Sequence, residues 1–414
     1  MAVMTDKSAS AVATRPFKID VPDADLEDLR ARVAATRWPE KETVEDQSQG
    51  VQLATMQALA RYWADEYDWR RCEARLNAYP QFITEIDGLD IHFVHVRSKH
   101  EDALPVIVTH GWPGSFIEQM KIVDLLTDPT AHGANASDAF HVVIPNMPGY
   151  GFSGKPTATG WGPTHIGAAW VELMKRLGYA QFVAAGGDWG GVIVEVMAGG
   201  RDAPASPEPA PAGLLGIHTN FPGVVPPEVD KAVQTGGPLP SDLSDDERRT
   251  TERLAFLYQH VAYGAEMGTR PQTLYGLADS PANLAAWMLD HDATSLELIS
   301  RVFVDGAQEG LTRDDVLDNI TLFWLTNTGV SASRLYWEWL SREKGTYVSV
   351  KNVTVPVAVS VFPDEVYQAP RSWAERAYPN LIHFNEVAKG GHFAAWEQPE
   401  LYASELRAGF RSLR

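Results

Sequence analysis

The sequence predicts an α/β protein: a mostly parallel central sheet flanked by helices. Three observations predict it. The apolar run Phe182-Val183-Ala184-Ala185 leads directly into Gly186-Gly187-Asp188-Trp189-Gly190-Gly191. Glycines two before and two after Asp188 let the backbone turn sharply from a strand into a helix, which leaves one side chain exposed at the strand's end. Upstream, Val106-Ile107-Val108-Thr109 has the β-branched character of a buried strand and runs into the Gly/Pro-rich loop His110-Gly111-Trp112-Pro113-Gly114-Ser115. Downstream, the apolar stretches Val355-Pro356-Val357-Ala358-Val359-Ser360-Val361 and Leu381-Ile382-His383-Phe384 each end in a loop with ionisable groups, Asp364-Glu365 after the first and His392 after the second.

The chemistry of those loops is specific. A serine at a nucleophile elbow needs a base to take its proton, whereas a carboxylate with an ordinary pKa of about 3.9 is already an anion at neutral pH. Asp188 in that place can open a strained or halogen-bearing carbon by displacement. Taken alone, the hexapeptide reads equally well as a Gly/Asp turn that caps a helix. The backbone N–H groups of Trp112 and Trp189 are the candidate oxyanion donors, each typically worth ~10²–10³ in rate. His392, between two glycines and an aromatic, is the candidate general base. Its second ring nitrogen needs a carboxylate, and Glu365 and Asp364 compete for that role. The order nucleophile, acid, histidine is the order of the α/β-hydrolase fold.

Several separated motifs carry a resemblance. Pro16-Phe17-Lys18-Ile19-Asp20-Val21-Pro22, Arg32-Val33-Ala34-Ala35-Thr36-Arg37-Trp38-Pro39, Leu76-Asn77-Ala78-Tyr79-Pro80-Gln81-Phe82, the His110–Ser115 loop, the elbow and Gly390-Gly391-His392-Phe393-Ala394-Ala395 together resemble the microsomal-type epoxide hydrolases. That branch of the α/β-hydrolases carries an N-terminal extension, and the likeness runs from Arg15 to about Arg407. The resemblance implies an epoxide hydrolase with a catalytic triad and two lid tyrosines that hold the epoxide oxygen. By motif position these fall on Tyr263 and Tyr336; from spacing alone, both read as amphipathic packing residues. Ungapped alignment on Phe362-Pro363, Pro370 and Trp373 places the triad acid on Glu365, leaving Asp364 as a solvated loop carboxylate. No cofactor and no metal is implied. The expected partners are a small-molecule epoxide and water, in epoxide metabolism or detoxification, with a homo-oligomer left open.

The organisation expected is a flexible N-terminus over 1–14, an extension over 15–100, the first part of the core over 101–221, a helical lid over 222–348 and the second part of the core over 349–414. Within the lid, residues 242–260 read as a helix with acidic first turns, and Asn283-Leu284-Ala285-Ala286-Trp287-Met288 and Ser333-Arg334-Leu335-Tyr336-Trp337-Glu338-Trp339-Leu340 as apolar-faced helices. The run 203–211, rich in proline, reads as a surface insertion, and Gly213–His218 as a core strand. Asp290-His291-Asp292 reads as a charged cluster on a solvated face rather than a ligand set.

Composition agrees with a large enzyme. The chain has 414 residues, ample for a substantial core. A formal charge of −19 opposes nucleic acid and anionic membranes as partners. Cys72 is the lone cysteine, which suits a reducing, cytoplasmic setting. The first residues lack the apolar core of a signal or anchor, and no stretch reaches ~18 apolar residues, so a soluble enzyme without a membrane anchor is expected. Two other readings compete. A haloalkane-type dehalogenase would use the same aspartate and histidine but halide-binding N–H donors instead of phenols. A non-catalytic binding protein on the same fold would have lost the triad, and every triad position here has a candidate.

Overall fold

The computed structural model describes residues 13–200, 210–307, 310–345 and 353–414. The first dozen residues and most of the proline-rich run lie outside them. Nine strands form one sheet: β1 (Arg15–Phe17), β2 (Gln81–Ile86), β3 (Leu89–Val96), β4 (Leu104–Thr109), β5 (Phe140–Pro145), β6 (Phe182–Gly186), β7 (Leu214–Thr219), β8 (Val357–Val361) and β9 (Leu381–Glu386). Their order is β1-β2-β3-β5-β4-β6-β7-β8-β9. Pairing is antiparallel from β1 through β3 to β5 and parallel from β5 onward. Every residue of β6 and β8 is buried. Helices cover both faces of such strands, so their sequences are continuous apolar runs instead of alternating ones.

The strand order sets where a site forms. β4 pairs with β5 on one side and β6 on the other, so the chain leaves β4 in one direction and later returns to its opposite edge. At such a reversal the loops leaving the strands diverge and open a crevice beyond their carboxyl ends. The loop after β4 holds His110–Ser115 and the loop after β6 holds Asp188. The loops after β8 and β9 bring Glu365 and His392 to the same edge.

Between β7 and β8 the described chain is entirely helical. The expected acidic-start helix runs Asp245–His260, its Ser244 and Glu247 forming a reciprocal capping box. The other two expected lid helices run Pro281–Leu289 and Gly329–Trp337, the second continuing as a wider turn over Glu338–Glu343. The N-terminal helices Leu53–Asp65 and Trp69–Asn77 grip the lid helix Arg313–Leu325. Trp63 Nε1 donates to Thr321 at 3.0 Å, the Tyr67 hydroxyl donates to Asp318 at 2.7 Å, and Arg75 pairs with the same carboxylate. One residue further, Asn319 Nδ2 donates to the Pro113 carbonyl at 2.7 Å. These N-terminal residues therefore brace the helix Arg313–Leu325, which in turn holds the loop after β4. Among the described residues no helix is long and apolar enough to cross a membrane.

Candidate active site

Asp188 occupies φ 49°, ψ −127°, a conformation that side chains other than glycine rarely adopt and that persists where surrounding structure enforces it. The enforcement is visible in the glycines. A Cβ on Gly190 would lie 2.1 Å from the Thr109 carbonyl oxygen, so only glycine lets the elbow helix Trp189–Met197 close onto β4. A Cβ on Gly111 would lie 2.2 Å from Asp188 Oδ1, so the loop after β4 must be bare for the carboxylate to reach it. That approach brings the Trp112 N–H to Asp188 Oδ1 at 2.7 Å. Trp189 begins the elbow helix, where the first backbone N–H groups have no partner within the helix.

His392 Nε2 lies 3.7 Å from Asp188 Oδ2, and His392 Nδ1 lies 2.6 Å from Glu365 Oε1. Glu365 Oε1 also accepts from the Val366 N–H at 2.8 Å. Asp364, the competing acid, is exposed, and its backbone pairs with Gly390 and Gly391 instead. Burial by itself would lower the His392 pKa; the carboxylates of Glu365, then Asp188 and Asp292, outweigh it and push the imidazole up to about 10. The candidate base thus holds a proton at neutral pH.

The two tyrosines arrive from separate lid helices, Ala262–Thr269 and Gly329–Trp337. Both are buried, with ring centroids 6.1 Å apart in an edge-to-face contact. Tyr336 packs edge-on against Trp189 at 4.7 Å, next to the elbow, and Tyr263 packs on His291 at 5.5 Å. Tyr336 therefore reaches Trp189 at the elbow and Tyr263 reaches His291 beside His392, while Trp112, Asp188 and His392 line one cavity.

With that geometry in place, the chain can be set beside known proteins. Residues 14–119 match the family described as epoxide hydrolase N terminus, and residues 105–203 match the alpha/beta hydrolase fold. Epoxide hydrolase 1 of Sus scrofa is 34% identical over 414 residues, covering 97% of this chain and 89% of that protein. A Stigmatella aurantiaca protein that carries a provisional epoxide hydrolase name is 50% identical over 404 residues, covering 96% of this chain and 85% of its own. The chain belongs to the epoxide hydrolase family. Among solved structures, the juvenile hormone epoxide hydrolase of Bombyx mori matches with TM-score 0.83 and 28% identity, covering 98% of this chain and 97% of that one. The Aspergillus niger epoxide hydrolase matches with TM-score 0.78 and 29% identity, covering 98% of each. The fold is that of an α/β-hydrolase and the enzyme hydrolyses epoxides.

Three ionisable features near this epoxide hydrolase's site escape a reading of the sequence: the His291–Asp292 pair, Glu397 and Glu118. His291 and Asp292 are not on a solvated face. Their side chains are buried, 4% and 6% exposed, and joined Nδ1 to Oδ2 at 2.9 Å. The reason is local: the helix Pro281–Leu289 ends just before them and Asp292 caps the next helix, accepting from the Ser295 N–H at 2.8 Å, so the junction faces inward. The His291 ring lies 4.2 Å from that of His392. Burial would raise the Asp292 pKa, but the bond to His291 and the charge of His392 hold it down to about 2. One ligating atom each of Asp188, His291 and His392 lie within 4.8 Å of one another. These are donor types a divalent transition metal accepts, although the proton that Glu365 stabilises on His392 would have to leave first.

Glu397 clamps the histidine loop from below. Its two oxygens accept from the Gly391 N–H at 3.1 Å and the Phe393 N–H at 3.0 Å, on either side of His392. Burial pushes its carboxyl up to about 7 against the pull of those two bonds. Glu118, behind the loop after β4, is the third: burial raises it to about 8, opposed by the His392 charge. The spacing of Glu397 five residues after His392 is a signal that local reading could have used. For His291 and Glu118 the sequence offers none, because their partners are set by tertiary packing.

Proposed function

We propose that epoxide opening runs through a covalent ester on Asp188, the reading supported best by an elbow carboxylate within 3.7 Å of a histidine that a second carboxylate holds at 2.6 Å. Asp188 attacks an epoxide carbon while Tyr263 and Tyr336, protonated at neutral pH, donate to the ring oxygen as its C–O bond breaks. Water activated by His392, with Glu365 behind it, then hydrolyses the hydroxyalkyl ester to a vicinal diol. The backbone N–H groups of Trp112 and Trp189 hold the oxyanion of that second step. Nothing in this sequence of steps calls for a cofactor or metal. The division into an extension over 15–100, a lid over 222–348 and a core in two parts, and the cytoplasmic location suggested by one buried cysteine, belong to the same proposal.

Repeated turnover in ¹⁸O-water tests it. Water attacks the ester carbonyl, so label should enter the Asp188 carboxylate over many cycles, and a peptide containing Asp188 that stays unlabelled rules the covalent route out. The dehalogenase reading shares the nucleophile and base. A panel of aryl and aliphatic epoxides beside haloalkanes, scored for diol and for halide, separates the two.

A further inference from the structure

We propose that Glu118 holds the hydrolytic water in a small cavity beside Asp188 and His392; the inference rests on the reading of Asp188 as nucleophile and His392 as base. A cavity of about 20 Å³ lies against Asp188 and His392, and its other walls include Gly111, Glu118, Gln119 and Asn220. On this measure about 10–15 Å³ admits one water, provided it finds two to four polar partners. The chamber is too small for an epoxide. Neither Tyr263 nor Tyr336 lines it, whereas Asp188, His392 and Glu118 do.

Glu118 is placed there by its neighbours. It lies in the short helix Phe116–Gln119, whose cap Ser115 accepts from the Ile117 N–H at 3.2 Å. A Cβ on Gly114 would fall 1.9 Å from Glu118 Oε2, so glycine at that position is what lets the carboxyl lie against the loop. Gln119 Nε2 donates to Glu118 Oε1 at 2.9 Å, while Gln119 Oε1 is buried and without a partner among the described residues. The walls therefore offer a water two side-chain acceptors besides His392. Burial keeps the Glu118 carboxyl largely neutral near pH 7, since it pushes the group up to about 8. A neutral carboxyl can fix a water without adding a second anion beside Asp188.

Once His392 is neutral at Nε2 in the ester state, a water that donates one hydrogen to that nitrogen and the other to Glu118 has its lone pair free for the ester carbon. One O–H bond of the water breaks, its proton going to His392, as the oxygen bonds to the Asp188 carbonyl carbon. The bond from that carbon to the alkyl oxygen then breaks, and the departing oxygen takes the proton from His392. The second hydrogen of the water leaves as Asp188 ionises, and it balances the proton that a lid tyrosine gave to the epoxide oxygen. Glu118 is unchanged over the cycle.

Rapid-quench intact mass on full-length Glu118→Leu, Glu118→Gln and wild type, mixed with a styrene-type epoxide, separates alkylation from ester hydrolysis. All three should alkylate Asp188 at similar rates. Hydrolysis should fall on the order of 10²-fold in the leucine variant, the scale of a misplaced reactant, so the ester accumulates and kcat and KM fall together. Glutamine, which keeps an oxygen and an N–H in place, should restore hydrolysis to within about tenfold of wild type. If Glu118→Leu does not fold, Glu118→Asp, which retracts the carboxyl by one methylene, should show the same selective loss. Ester hydrolysis at the wild-type rate in the leucine or aspartate variant overturns the water-holding role. Absence of any adduct and of ¹⁸O label in wild-type Asp188 overturns instead the covalent reading beneath it.

Discussion

Substituting Asp188 by asparagine should lower the pKa of His392, and by an amount the geometry bounds. The two groups lie 3.7 Å apart. At that distance a unit charge pair is worth about 4.5 kcal/mol for an effective dielectric of 20 and about 1 kcal/mol in bulk water. Since one pKa unit is 1.36 kcal/mol, losing the Asp188 charge should drop His392 by about 1–3 units from its value of about 10. Glu365 and Asp292 remain, so the drop should not reach the low values of a buried histidine that lacks partners. Asp188→Asn is the accessible mimic of the alkylated enzyme, because the ester is neutral as well. On the proposed mechanism the free enzyme keeps its base protonated, and forming the ester removes the charge that helped hold the proton. The sign for stability follows. A histidine raised from 6.5 in the unfolded chain to about 10 in the folded one contributes stability that is whole below pH 6.5 and is lost as pH rises through 10. In the variant that loss should be smaller and complete at lower pH. The assay is a titration of ring-¹³C-labelled histidines by NMR, with the His392 signal assigned through His392→Gln and deamidation followed by mass. A His392 midpoint in Asp188→Asn within a few tenths of wild type would refute the electrostatic coupling of nucleophile and base.

Three further outcomes follow from the same contacts. Tyr263→Phe and Tyr336→Phe should each slow alkylation by epoxide about 10²–10⁴-fold and spare hydrolysis of a preformed ester; if stopped-flow alkylation rates stay at wild type in both, the lid tyrosines do not serve the epoxide oxygen. Glu365→Gln should lower kcat by about 10²–10⁴ while Asp364→Asn stays within a few-fold, and steady-state rates that reverse this order would hand the triad to Asp364. Tyr67→Phe leaves Asp318 with one partner fewer and should cost on the order of 1–3 kcal/mol of stability, read as a lower urea midpoint, with no shift meaning that the extension does not brace the lid there.

How much of this was legible beforehand divides along a physical line. Phe182–Gly186 and Val357–Val361 are strands that a near-continuous apolar run announces, and the elbow is announced by glycines whose positions only a tight turn explains. Such features are local, so a window of ten residues contains their cause. Motif order leaves Glu365 and Asp364 competing, and only the family resemblance favours Glu365; what separates them is direction: the Glu365 side chain turns inward to His392 and that of Asp364 faces solvent. The Asp290-His291-Asp292 cluster shows the opposite case. Three charged residues in a row usually mean a wet surface, since isolated charges are costly to bury. Here His291 and Asp292 satisfy one another at 2.9 Å, and the ring of His392, 101 positions later, lies tilted against that of His291 at 4.2 Å.

Glu118 belongs with that pair. Next to an apolar turn its carboxylate would be expected to seek water, and nothing within ten residues says that Gly114 leaves space for it or that Asp188 and His392 will close over it. Burial of such a group is tolerated only if it is protonated or paired, and both routes alter its proton affinity, which is why unforeseen buried ionisable groups concentrate where a reaction moves protons. The same packing that hides Glu118, His291 and Asp292 from a sequence reading is what makes His392 sensitive to the charge on Asp188. A crevice with water in contact with every carboxylate would screen that interaction toward the bulk value of about 1 kcal/mol, and the change of nucleophile from anion to ester would then barely move the base.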